Sequence, residues 1–179
     1  MGAYPKNYSL KDGAKVTIRP IDQNDLDKSY SFFNQLTEQD RLYLRIDVSQ
    51  KEAVERRLRQ EHWDREVCYR LVAEKDGKII ADATLCKPSH GWTTHTANLR
   101  YIVLREYRRK GLATILAREL FVTAVKEGIE KIQAEIMEEN KAALKSVERL
   151  GFKKEGVLKD FVMDIKGSKH NLVIMSYAV

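Results

Sequence analysis

Tyr101-Ile-Val-Leu-Arg-Glu-Tyr-Arg-Arg-Lys-Gly-Leu-Ala-Thr114 is the stretch on which the fold turns. Its front closes an alternating, β-branched run that begins at Thr96, and its back opens an apolar helical pattern that continues to Glu127. A strand that passes through a short basic loop directly into a helix leaves free N–H groups at the first helical turn. These lie at the positive end of the helix dipole, so the junction is an anion site. Gly111 lets the backbone come close to a ligand, small Ala113 keeps the turn open, and Arg108, Arg109 and Lys110 add charge. A solvated basic turn is the alternative reading of the same residues. A phosphate-loop nucleotide site is excluded, because neither Gly-x-x-x-x-Gly-Lys-Ser/Thr nor Gly-x-Gly-x-x-Gly occurs.

Working outward, Lys15 to Arg19 alternates and stops at Pro20, which predicts a first strand behind a polar leader of residues 1–14. A helix from Asn24 or Asp25 to about Leu36 and a second over residues 49–62 follow. Leu36 to Arg45, between them, has no clear period. Cys68 to Glu74 and Ile79 to Cys86 read as strands joined by Lys75-Asp76-Gly77-Lys78, a favoured tight hairpin. In the helix after Gly111, Leu112, Ile115, Leu116, Leu120, Phe121 and Ala124 form a wide apolar arc, with Thr114, Arg118, Glu119 and Thr123 among its polar positions. A strand from Ile129 to Met137, a helix from Asn140 to Leu150 and a closing pair, Val157 to Ile165 and Asn171 to Val179, complete the order. Strands and helices interspersed in this way predict an α/β domain over residues 15–179 with a mixed central sheet.

The chain has 179 residues with 32 Lys plus Arg against 26 Asp plus Glu, a formal charge of +6. That excess raises nucleic acid, anionic membrane or a phosphorylated ligand as partners. Arg105, Arg108, Arg109, Lys110 and Arg118 stand against Glu106 alone over residues 105–118, so four of the six charges belong to the loop and helix already singled out. No nucleic-acid module and no apolar run near the ~20 residues of a membrane span is present. Neither partner is therefore expected. Cys68 and Cys86 sit in apolar stretches and read as buried thiols of a reducing, cytoplasmic protein. His62, His90, His95 and His170 lack metal-ligand spacing, so no metal is expected. His90 and His95 flank Trp92 in a loop that could border a ligand site; a surface loop with a partly buried tryptophan is the alternative reading.

Arg108-x-x-Gly111-x-Ala113, after a strand and opening a helix, resembles the pyrophosphate loop of the GCN5-related N-acetyltransferase (GNAT) superfamily. Asn140-x-x-Ala143 leading to Leu150-Gly151-Phe152 is similar to that family's later helix and following strand, and Ile18-Arg-Pro-Ile-Asp22 to its common start. The resemblance runs from about Val16 to Ala178. It implies the GNAT fold, a mostly antiparallel sheet of about seven strands flanked by about four helices, acetyl-CoA as donor, and a primary amine of a small molecule or protein as acceptor. A homodimer is possible. It also implies that backbone groups of Ile102, Val103 and Leu104 pair with the pantetheine arm. The amides from Arg108 or Arg109 through Lys110, Gly111, Leu112, Ala113 and Thr114 hold the pyrophosphate, and Asn140 contacts the cofactor. For Asn140 a helix N-cap is the alternative reading.

Direct transfer needs a neutral amine, and a lysine-like amine of pKa about 10.4 is neutral in only one of roughly a few thousand molecules at pH 7. A base is useful. Thr94 to Leu104 holds no Asp or Glu, so the fourth-strand carboxylate of one branch is missing. Glu135, five residues before Asn140, is the candidate general base, at the position where the ribosomal-protein N-terminal acetyltransferase branch resembled here places a glutamate. A solvated strand residue is its alternative. The tyrosine that often follows the asparagine by seven residues, and that gives the leaving thiolate its proton, is Val147. The general acid is thus unassigned: either another donor serves, Tyr101 or Tyr107, both of which read first as structural residues, or water protonates the thiolate. The same gap keeps open a non-catalytic acyl-CoA sensor on this fold.

Overall fold

In the computed structural model, which describes residues 4–59 and 66–179, eight strands form one sheet in the order β1-β2-β3-β4-β5-β6-β8-β7. The strands are β1 (Lys6–Ser9), β2 (Lys15–Pro20), β3 (Glu66–Lys75), β4 (Lys78–Pro88), β5 (Thr96–Val103), β6 (Lys131–Met137), β7 (Lys153–Met163) and β8 (Lys169–Ala178). The helices are α1 (Leu26–Asn34), α2 (Glu38–Leu42), α3 (Lys51–Arg59), α4 (Leu112–Lys126) and α5 (Lys141–Arg149). The second helix was expected to run to residue 62; its last residues, and His62, lie outside the described residues. Asp76 and Gly77, both at positive φ (51° and 74°), make the β3–β4 hairpin as the Asp-Gly pair requires.

Two elements exceed the expected seven strands and four helices. Thr37 caps Glu38–Leu42 by accepting from the Asp40 N–H at 3.2 Å, giving a helix too short to show a period. Lys6–Ser9 is an edge strand paired to β2, so this part of the polar stretch before Lys15 belongs to the sheet. The alternation Tyr4, Lys6, Tyr8 delivers two phenols and an ammonium to one carboxylate, Glu119 of α4. Tyr4 donates at 2.8 Å, Lys6 lies at 2.7 Å, and Tyr8 donates as well. Glu119, one of the polar positions of α4, is 7% exposed. Burial raises its pKa, but the three donors outweigh burial and hold it below the usual carboxylate range.

Cys68 and Cys86 stand directly opposite each other on β3 and β4 and are joined in a disulfide, which corrects the expectation of two free thiols. The sequence gives no sign of this, because it depends on the register of the hairpin. Trp92 is 93% exposed rather than partly buried.

Helices cover both faces of the sheet. α4 packs on β3, β4 and β5 through Leu112, Leu116 and Leu120, all fully buried, while α1 packs on β4 and α3 on α1. Among the described residues β5 and β6 form the one parallel pair, and it is brief: Thr96↔Lys131, Ala97↔Ile132 and Asn98↔Gln133. Beyond Asn98 the two strands separate, which leaves one edge of β5 open in the middle of the sheet.

Candidate active site

That separation opens a cavity of about 470 Å³. Tyr101, Ala134, Ile136, Asn140, Ala143 and Val147 line one part of it, and Phe33, Arg57, Arg70, Asp82, Arg100 and Glu135 another. Side chains alternate along a strand, so these two sets lie on opposite faces of the sheet. Tyr101 reaches α5, donating to Ser146 Oγ at 2.7 Å, whereas Asp82 receives Arg57 from α3. The cavity therefore passes through the sheet at the splay.

The N–H of Leu104 is donated to the Ile80 carbonyl at 3.0 Å. In an antiparallel ladder every second residue bonds the same neighbour. Ile102, paired with Asp82, therefore also faces β4, and the backbone groups of Tyr101 and Val103 point to the open edge. This corrects the expected trio of Ile102, Val103 and Leu104, of which only Val103 presents its backbone to the splay. Tyr101 was missed because the choice of parity depends on register.

After β5 the chain makes a 3-10 turn (Arg105–Tyr107) and curls through Arg109 (φ 64°), Lys110 and Gly111 (φ 90°) into α4. Ile115 N–H is the first to bond back, to the Gly111 carbonyl at 3.1 Å, so the N–H groups of Leu112, Ala113 and Thr114 have no partner within the helix. A Cβ on Gly111 would meet nothing closer than Lys11 at 3.8 Å, so the residue is required for its φ and leaves open space. These features fit a pyrophosphate held by Arg109 through Thr114. Arg108 is otherwise engaged: its Nε donates to the Val103 carbonyl at 2.9 Å and Nη2 pairs with Asp40 at 2.8 Å. Lys110 pairs with Asp12 at 2.8 Å. Two charges of the basic cluster are thus partnered within the fold.

Asn140 caps α5 by accepting the Ala143 N–H at 3.1 Å, and it also lines the cavity. Both expected roles are compatible. Val147 is 3% exposed in the cavity wall, and the phenol of Tyr101, which also lines the cavity, donates to Ser146, one residue before it in the chain. Burial raises the Tyr101 pKa and keeps the phenol protonated. No residue of the loop around Trp92 lines the cavity.

Glu135 stands at the splay, with Oε2 2.6 Å from Arg45 Nη2 and Oε1 accepting from Asn98 Nδ2 at 3.2 Å. The other carboxylate among the described residues of the cavity is Asp82, 4% exposed and held by both Nη groups of Arg57, at 2.9 and 2.7 Å. Burial pushes Asp82 up, but Arg57 and then Arg70 outweigh it and leave it below the usual range, so it is a poor proton acceptor. Arg70, Thr84 and Arg100 form one cross-strand row over β3, β4 and β5. Sequence reading passed over this group, although charged residues inside runs as apolar as β3 and β4 were the available signal.

A sequence model of the Acetyltransferase (GNAT) family matches residues 31–152. The chain belongs to this family. Acetyl transfer with acetyl-CoA as donor is what the family does. Among solved structures, the GNAT domain of S. lividans PAT is similar over 98% of this chain and 97% of its own, with TM-score 0.79 and 20% identity. Ribosomal-protein-S5-alanine acetyltransferase from Vibrio fischeri matches over 97% and 96%, with TM-score 0.78 and 18% identity. The yncA protein of Salmonella typhimurium, solved with its cofactor acetyl-CoA, matches over 91% and 93%, with TM-score 0.73 and 20% identity. Among the described residues of this GNAT chain no three His, Cys, Asp or Glu side chains gather as metal ligands, and no helix is long and apolar enough to cross a membrane.

Proposed function

We propose that this GNAT protein is an N-acetyltransferase that passes the acetyl group of acetyl-CoA directly to a primary amine of a small molecule or protein. The observation that carries the reading is the cavity through the splayed sheet. It joins the open backbone edge at Tyr101 to the carboxylate of Glu135. The amides of Arg109 through Thr114 would hold the pyrophosphate, and Tyr101 and Val103 would pair with the pantetheine as an added strand would. The donor supplies an activated acetyl thioester. The amine nitrogen attacks its carbonyl carbon, a C–N bond forms and the C–S bond breaks.

Glu135 takes the proton that the amine loses. Of the two described carboxylates in the cavity it is the accessible one, and the acceptor's ammonium would replace Arg45 as its partner. Tyr101, held by its bond to Ser146 Oγ, gives its proton to the departing sulfur and is reprotonated from solvent, to which Glu135 returns the proton it took. Acceptor-dependent release of CoA thiol from acetyl-CoA, read with a thiol reagent across amines and peptides, tests this. The expected result is release well above the blank. Tight CoA binding with no release over the whole panel would overturn transfer and leave an acyl-CoA sensor.

A further inference from the structure

The polar stretch before β2 comes back to the loop that leads into α4. β1 and β2 are joined by a turn over residues 10–14, and the turn is fixed by its own bonds. Leu10 is buried, its N–H is donated to the Ala14 carbonyl at 2.8 Å, and Asp12 accepts the Ala14 N–H at 3.2 Å. Two contacts set the turn against the loop: Lys11 N–H is donated to the Lys110 carbonyl at 3.1 Å, and Asp12 pairs with Lys110 Nζ at 2.8 Å. Further along the same helix, Glu119 gathers Tyr4, Lys6 and Tyr8 of the N-terminal segment. The β1–β2 hairpin is thus tied both to α4 and to the loop before it.

This arrangement lays the Lys11 side chain along the loop. Its Cγ and its Cε both stand 3.8 Å from the place a Cβ on Gly111 would take. The ammonium is one bond beyond that Cε, beside the first turn of α4, where the N–H groups of Leu112, Ala113 and Thr114 have no partner within the helix. Lys11 is exposed, and its ammonium makes no hydrogen bond or ion pair among the described residues. Charge gives that ammonium a use. A helix N-terminus supplies roughly half a positive charge, and a diphosphate brings more negative charge than that. Two cations of the loop are already answered, Arg108 by Asp40 and Lys110 by Asp12, and the second pair also neutralises the carboxylate next to Lys11.

We propose that Lys11 binds a phosphate of acetyl-CoA, closing the anion site from the β1–β2 turn. This rests on the reading of Arg109 through Thr114 as the loop that holds the diphosphate, and it adds to that loop a cation from the N-terminal edge of the sheet. A compact ammonium on a flexible stem suits the place, because it meets a phosphate oxygen as a point charge and needs no fixed planar geometry. Acetyl-CoA offers it the same chemistry twice, in the diphosphate and in the monoester on the ribose. The Glu119 cluster then has a part in donor binding, since it keeps β1, and with it the turn, on α4.

Calorimetric titration of CoA into the full chain tests this, with dephospho-CoA, which lacks the ribose monoester, as the second ligand. Lys11→Gln should weaken CoA binding by about fivefold to thirtyfold, the worth of one charge-assisted contact at a partly open site, and should make the affinity less sensitive to salt. Lys11→Arg should keep most of the affinity. Lys15→Gln, which removes the same charge from the start of β2, should bind CoA as the wild type does. A loss in Lys11→Gln seen with CoA and not with dephospho-CoA puts Lys11 on the ribose phosphate, and an equal loss with both puts it on the diphosphate. CoA affinity within about twofold of wild type in Lys11→Gln, or an equal loss in Lys15→Gln, overturns the contact. If Gly111→Ala weakens CoA binding while Lys11→Gln does not, the loop stands without Lys11; a wild-type chain that binds no CoA overturns both.

Discussion

Replacing Glu135 with Gln changes one charge and almost no volume. Its structural cost is small, because the Arg45–Glu135 pair has side chains 44% and 31% exposed, and exposed pairs contribute about 0.2–1 kcal/mol. Asn98 can still donate to the amide oxygen. If Glu135 served only as that ion-pair partner, kcat/KM would fall by about fivefold or less, the rate equivalent of ~1 kcal/mol. Loss of a general base costs about 100- to 10,000-fold, and the two outcomes do not overlap. The assay is thiol release under kcat/KM conditions across pH, beside urea unfolding of both proteins. The expected result is a fall of at least about 100-fold, loss of the limb of the pH profile that reports the base, and near-equal stability. A variant within about fivefold of wild type, with an unchanged profile, refutes the base role.

Tyr101→Phe should lower kcat by about 10- to 100-fold, less than for a poorer leaving group, since a thiolate departs readily. Ser146→Ala, which removes only the phenol's partner, should have a much smaller effect in the same assay. Gly111→Ala forces an L side chain to φ 90° with no clash nearer than 3.8 Å, so it should cost about 1–2 kcal/mol in strain and re-aim the first-turn amides. Calorimetry should show weaker CoA binding, and wild-type affinity would contradict the anion site. Asp82→Asn leaves Arg57 and Arg70 without their carboxylate and should destabilise the fold by about 3–5 kcal/mol in urea; under 1 kcal/mol would mean that the cluster is solvated.

Elements with strong local signals were legible in the sequence. The Asp76-Gly77 hairpin, the helix opening at Gly111 and the strand-to-helix passage at Asn140 all formed where periodicity and caps placed them. What escaped depends on pairing between distant segments. Lys6–Ser9 is too short and polar to read as a strand, and it exists because β2 has an open edge and Glu119 holds Tyr4, Lys6 and Tyr8. The disulfide follows from Cys68 and Cys86 falling opposite each other. The same holds for the site. The anion loop was visible as a local motif, but which backbone groups of β5 face the splay is decided by the Leu104 to Ile80 bond, and Arg70, Thr84 and Arg100 meet only through sheet register.

The position of the acyl arm tests acetyl transfer at the splay most directly. A crystal structure with acetyl-CoA should show the pantetheine in the gap between β5 and β6, bonded to backbone groups of Tyr101 and Val103, with the acetyl carbonyl facing Glu135. A donor lodged elsewhere, with β5 and β6 closed on each other beyond Asn98, would contradict it.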